Sequence, residues 1–336
     1  MNDTLVRDGV LRTATRLADE LLRPAAPATD AAGELPAGNL DSLAEAGMYG
    51  LVAPPEAGGL GADFPVLCSV IETLAGACLT TAFVWTQHLG VLQAVMHSDS
   101  ARQWVPRLSS GEVRAGLAMA GTLPGPPKLR AVRRDGGWTI DGTAPWVSGW
   151  GGVDVVHTAA RDAEDNVVWL LVDARENPAL RAEPLELVAL NSTCTVRLEF
   201  DGCFVPADRV TAVVPPEHWQ SPNPFAMRLH AALSLGLAAR ASALAGDGAL
   251  ESELAACRAA LDAALAAHDE MPAARAAAAE LALRATALAT VAAGTSAVLP
   301  TSQVQRLSRE ASFLLVFGLR APVRTALIER LERPPA

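Results

Sequence analysis

The spacing of apolar positions divides the chain into three zones. Residues 1–112 repeat their apolar residues about every 3.6 positions, the period of a helix with one buried face. MNDTLVRDGVLRTATRLADELL reads as an amphipathic helix, and NLDSLAEAGM as a short one with a capping-type start. After a loop dense in Gly and Pro, PVLCSVIETLAGAC and TAFVWTQHLGVLQAVMHS read as apolar helices, and SARQWVPRLSSG closes the zone. Residues 113–214 change character. VRAGLAMAG, KLRAVRRDG, GWTIDG, VDVVHTAARD, NVVWLLVD, TVRLEF and CFVPADRV are short β-rich runs separated by turn signals. Asp135-Gly136-Gly137 and Asp141-Gly142 read as hairpin turns. VPPEHWQSPNP reads as the linker out. The helical period then returns in four Ala-rich segments, the last bending near Pro322. The pattern predicts an α+β chain: an N-terminal helical domain (1–112), a small central antiparallel β-barrel or sheet (113–214) and a C-terminal antiparallel four-helix bundle (215–336).

Length and composition narrow the classes. The 336 residues exceed one compact core, and half are hydrophobic. The formal net charge of −10 argues against nucleic acid as a partner, which needs a basic face. No apolar run is read as spanning a membrane, and the N-terminus lacks a basic start and apolar block. These features predict a soluble cytoplasmic protein. The five Cys form no CxxC pair and the six His no HxxxH pair, so no metal site is expected.

The stretch Gly142 to Trp150, GTAPWVSGW, raises a chemical question. It places two Trp and a Ser in what reads as a Gly-bounded turn, although the chain has only seven Trp. Either the indoles plug the end of a sheet or the turn holds a flat ligand.

Four stretches, in order, resemble the acyl-CoA dehydrogenase family. DSLAEAGMYGLVAPPEAGGLGAD is similar to its N-terminal signature. GTAPWVSGWGGVDVVHTAA looks like its flavin turn, LEFDGCFVPADRV like the segment leaving its β-domain, and QRLSREASFLLV like its last helix. In that helix an Arg-Asp pair stands where this chain has Arg309-Glu310. The resemblance implies FAD, an acyl-CoA or carrier-bound acyl thioester, and a homodimer, a homotetramer or a heteromer with a complete family member. By the same resemblance, Trp146 covers the flavin, Ser148 stands where a Thr or Ser hydroxyl meets flavin N5, and the main chain at Val147 lies between them. Trp150 is read as sheet packing. Met119-Ala120-Gly121-Thr122 stands where the family has its second flavin strand, and that strand's Thr hydroxyl is lost at Ala120 unless Thr122 substitutes for it. The Gly-Ser-Asp element that follows in the family is missing.

The family's base is usually a Glu near a Gly-rich turn in the C-terminal segment. Here that segment reads FLLVFGLRAPVRTALIERL, with no matching Glu. In a minority the Glu is on the first bundle helix, where this chain has Met227 or Arg228. His230, one turn onward, is the weak candidate base that remains, with His88 a second. The family's adenine-end segment is also absent; Arg240 and Arg258 nearby read as solvated helix ends. The resemblance implies α,β-desaturation of an acyl thioester with hydride transfer to flavin N5. Two alternatives stay open: a silent subunit of a heteromeric assembly, and a flavin-dependent oxygenase on the same scaffold.

Overall fold

The computed structural model describes residues 3–246, 248 and 250–332. Met1 and Asn2, which begin the expected first helix, lie outside the described residues.

The first apolar stretch forms one long helical rod. Helix α1 (Asp3–Arg16) passes through a π-helical turn (Leu17–Leu22) into α2 (Arg23–Ala32), which stops at Gly33 in a left-handed conformation. Helix α3 (Ala37–Glu45) precedes the Gly/Pro loop. Asp63 caps α4 (Phe64–Ala77) by accepting the Val66 N–H at 2.8 Å. Helices α5 (Leu79–Met96) and α6 (Val105–Ser110) complete the first helical zone.

Eight strands follow: β1 (Ala115–Ala118), β2 (Leu129–Arg134), β3 (Gly137–Val147), β4 (Val155–Arg161), β5 (Val167–Asp173), β6 (Leu180–Pro184), β7 (Val196–Pro206) and β8 (Val210–Val214). Their order is β6-β7-β3-β2-β4-β5-β8, with β1 on β4. Most pairs are antiparallel, as the turn spacing predicts. The sheet is nevertheless mixed, because β1 runs parallel to β4. A parallel pair needs a crossover, and the β2–β3 hairpin supplies it. Asp135-Gly136 does turn that hairpin. Asp141-Gly142 does not turn: Gly142 continues β3 at φ 119°, at a register shift against β7.

The expected linker contains the short helix α7 (Pro216–Trp219). Beyond it lie α8 (Pro224–Ala245), α9 (Glu251–Ala263), α10 (Met271–Ala293), α11 (Gln303–Val316) and α12 (Ala321–Leu331). The expected fourth bundle helix is therefore two helices. Gly318 at φ 62° breaks it ahead of Pro322, which falls in the first turn of α12. His268–Val298, around α10, is long and apolar enough to cross a membrane, with mean hydropathy 1.4, contrary to the sequence expectation. In this fold α10 packs on α8, α11 and α12 instead.

The two helical zones share one apolar core, whose members run from Val10 to Leu314. Its tightest crossing is α4 over α8. A Cβ on Gly236 would lie 2.2 Å from the Glu72 carbonyl oxygen, and one on Gly76 2.8 Å from that of Gly236. A second core fills the sheet, and a third joins α5 and α6 to β1, β4 and β5. These contacts fix β1 and the strands beside it against α5 and α6.

Candidate functional site

The chain leaves β1 through a 3-10 turn, Ala120–Thr122, that lies chiefly against β4 and also touches β3. Ala120, Gly121 and Thr122 are buried, while Met119 is exposed. Gly121 is required by close packing, since a Cβ there would lie 2.7 Å from the Ala159 carbonyl group. The Thr122 hydroxyl donates to Met119 O at 3.0 Å. Arg320, at the start of α12, donates to Thr122 O at 2.9 Å and to its hydroxyl at 3.0 Å. The C-terminal helices are thus tied directly to this turn.

The stretch GTAPWV is the end of β3 rather than a turn, with a second register shift between Ala144 and Val147. That bulge re-aims the strand end. Trp146 adopts φ 64° and leaves its indole 63% exposed. Val147 is fully buried and pairs with Val196; Ser148 is buried. Trp150 packs, partly buried, on the sheet core. Of the four described non-glycine residues with positive φ, three converge here: Trp146, Leu190 (φ 55°) and Cys194 (φ 47°). Such conformations cost free energy and concentrate at functional sites.

Leu190 and Cys194 flank a loop that anchors Ser148. The Thr193 hydroxyl donates to Leu190 O at 2.8 Å. With that proton committed, the 2.8 Å contact between Thr193 and Thr195 has Thr195 as donor. The 2.7 Å contact between Ser148 and Thr195 then has Ser148 as donor. The chain of hydroxyls leaves Ser148 Oγ with lone pairs and no further proton to give. The same loop is held by Gly149 N–H to Thr193 O at 2.7 Å and by Ser192 to Thr29 O at 2.5 Å. Sequence reading singled out Ser148 but missed Thr193 and Thr195. The signal was the alternating hydroxyls of NSTCT.

His230 projects from α8 onto the break between α11 and α12. Its ring centroid lies 4.6 Å from that of Phe317, and a Cβ on Gly318 would fall 2.7 Å from Nδ1. Phe317 and Phe313 meet Phe83 of α5 edge-on. Burial, and then the charges of Arg275 and Arg320, push the His230 pKa down to about 3. Such an imidazole is neutral at ordinary pH and a poor proton acceptor, which works against its reading as a base. Arg275, Phe317, Gly318 and Arg320 were not singled out from sequence, although FGLRAP had been read for its missing Glu.

His88 has a packing role. Its Nδ1 accepts the Ala115 N–H at 3.1 Å, so Nε2 carries the proton and donates to Leu108 O at 3.1 Å. Arg228 is no free base position either. It is buried and paired with Asp262 at 2.7 Å and Glu72 at 3.5 Å. Arg258 and Arg240, expected at solvated ends, bond Glu72 at 2.8 Å and Gln303 at 3.1 Å. Arg309 and Glu310 belong to different pairs. Arg309 bonds both carboxylate oxygens of Asp30 and Val188 O, while buried Glu310 pairs with Arg306 at 2.7 Å. No cluster of His, Cys, Asp and Glu that could hold a metal ion occurs among the described residues.

Comparison with known proteins identifies the setting. Residues 7–112 match the family described as acyl-CoA dehydrogenase, N-terminal domain. A 3-sulfinopropanoyl-CoA desulfinase of Paraburkholderia xenovorans is 27% identical over 246 residues, 70% of this chain and 63% of that protein. The mitochondrial isovaleryl-CoA dehydrogenase of Oryza sativa subsp. japonica is 28% identical over 209 residues, 58% of this chain and 51% of that one. The matched region thus spans between half and two thirds of these relatives' length. Butyryl-CoA dehydrogenase from Megasphaera elsdenii shares the fold, with TM-score 0.81, 98% of each chain covered and 16% identity. Helical, sheet and helical zones in this order show the acyl-CoA dehydrogenase fold, and those matches support the acyl-CoA dehydrogenase family for this chain.

Proposed function

We propose that this chain binds FAD and an acyl-CoA thioester but carries no α-proton base of its own. It is then a flavoprotein that does not desaturate a thioester unaided, the silent-subunit branch of the sequence reading. The observation that carries this is the turn at Gly318. Its residue has no side chain, and the adjoining space is filled by a neutral imidazole flanked by two guanidinium groups.

The residues fit a flavin. Met119, Leu123 and Trp146 leave apolar area exposed at 39%, 38% and 63%, on segments beside the ends of β1 and β3. A flat aromatic ring system would remove such area from water. Met119–Thr122 and Trp146–Ser148 are the residues that would hold it. When bound, FAD supplies hydride acceptance, which no side chain can provide. The chain's contribution is to cover, orient and exclude water. Ser148 Oγ offers a lone pair, and so favours a partner that carries hydrogen over one that does not. Relatives named as acyl-CoA dehydrogenases support the thioester as the ligand class, and a family neighbour solved with FADH2 supports the cofactor.

Absorption spectroscopy tests the proposal. The purified protein with added FAD should show a protein-bound flavin spectrum. Dithionite should bleach it, whereas butyryl-CoA under anaerobic conditions should leave it oxidised. Bleaching by an acyl-CoA with this chain alone would overturn the missing base. Failure to retain FAD would overturn the flavoprotein reading.

A further inference from the structure

The cationic groups around the Gly318 turn lack counter-charges. Arg275 is only 3% exposed, and its one guanidinium nitrogen with partners bonds Leu314 O at 3.4 Å and Phe317 O at 3.3 Å. Both are long contacts to the C-terminal carbonyls of α11. A helix end supplies about half an elementary charge, so it leaves much of the cation uncompensated. Arg320 bonds only the neutral oxygens of Thr122. Neither arginine pairs with a carboxylate among the described residues, although 15 ion pairs form elsewhere. Neither ring nitrogen of His230 has a described hydrogen-bond partner. This arises in a chain of net charge −10, where carboxylates are plentiful. A buried cation without a counter-ion is costly, and a ligand anion is the direct way to relieve it.

The cluster is open to a ligand. Gly318 is exposed, while His230, Phe317 and Arg320 are partly exposed. The imidazole packs directly against the Gly318 backbone, so the turn brings ring and glycine together at the surface. Arg320 connects this turn to the Thr122 turn, where the flavin is proposed to lie.

We propose that Arg320, Arg275 and His230 form an anion subsite that takes the negatively charged far end of an acyl-CoA whose acyl chain ends in a carboxylate. Arg320 holds Thr122 through one N–H of each terminal nitrogen, and its Nε edge is left to meet a carboxylate side-on. His230, neutral and unpartnered, donates one further hydrogen bond from whichever ring nitrogen carries the proton. The aromatic group of Phe83, Phe313 and Phe317 excludes water beside them. This assignment rests on the proposed thioester binding and adds the class of acyl group.

The test is equilibrium binding to the FAD-loaded full chain by calorimetry. Succinyl-, glutaryl- and adipoyl-CoA are compared with the uncharged acyl-CoA of the same chain length and with free CoA. For at least one length the acid should bind ten-fold or more tighter than its uncharged counterpart. Arg320→Gln should bring the two close to parity. Arg320→Lys, which keeps the charge and loses the planar edge, should retain part of the preference. Circular dichroism checks that each variant folds. Equal binding of acid and uncharged thioesters, or a preference that survives Arg320→Gln, overturns the subsite while thioester binding stands. Free CoA binding as tightly as the acids assigns the cations to its phosphates and also overturns it. If no thioester binds at all, the ligand class under Proposed function falls with it.

Discussion

Gly318 and His230 compete for the same space: a Cβ on the glycine would sit 2.7 Å from Nδ1 and 2.9 Å from Cε1 of the imidazole. The two residues lie 88 positions apart and meet only where α8 passes the break between α11 and α12. Gly318→Ala should cost about 1–3 kcal/mol, from the positive φ and the displaced ring. His230→Ala should make room, so the double variant should lose less than the sum of the singles in chemical denaturation. By the same reasoning Gly318→Glu alone should not produce desaturation, whereas Gly318→Glu with His230→Ala should bleach bound flavin on adding an acyl-CoA. Bleaching by the single variant would show that the imidazole yields freely.

The hydroxyl chain behind Ser148 makes a redox prediction. Thr195→Val removes the acceptor of the Ser148 proton. It should lower stability by roughly 1–2 kcal/mol through lost buried hydrogen bonds. It also frees the Ser148 proton to be given to a partner that lacks hydrogen. Bound flavin in Thr195→Val should therefore have a more negative reduction potential than in the parent protein. Potentiometric titration reads this directly, and an unchanged potential would separate Ser148 from the flavin.

The α4–α8 crossing tolerates no side chain. Gly236→Ala places a methyl group 2.2 Å from a backbone oxygen of Glu72, which cannot rotate away. Helix propensity alone would favour Ala by about 1 kcal/mol. The clash should reverse this and destabilise the protein by about 3 kcal/mol or more, seen as a lower denaturation midpoint.

Three histidines set a pH dependence. His88, His157 and His230 are each pushed by burial from 6.5 to about 3. In the unfolded chain they bind protons below pH 6.5, and in the folded protein they do not. Their stabilisation is complete above that pH and is lost as pH falls toward 3. Each contributes a slope approaching about 1.4 kcal/mol per pH unit in the lower part of this window. Between about pH 6 and 5, above the carboxylate range, stability should already decline. His157→Gln should flatten that decline by about a third, because its partner Thr211 at 2.7 Å can still bond an amide. An unaltered slope would mean that His157 takes up protons in the folded state.

Local physics made much of this protein legible in its sequence. Apolar spacing follows directly from helix and strand geometry, so the three zones and most elements could be read. Asp135-Gly136 acts at its own position, and so the hairpin turn it sets could be read too, whereas the break at Gly318 reads in the sequence as a bend near Pro322. Trp146 and Ser148 could be singled out because their flanking residues lie in one continuous stretch. Other features depend on residues brought together across the chain. The β1–β4 parallel pairing is one, since pairing partners are chosen by where the helical layers deliver each strand. The neutral state of His230 is another, since its burial and its neighbours come from α10 and the α11–α12 break. The donor direction along Ser148, Thr195 and Thr193 is a third, set by a single carbonyl in a strained loop. Periodicity specifies which face of an element is buried, whereas partners, proton positions and charge balance exist only after the elements have packed.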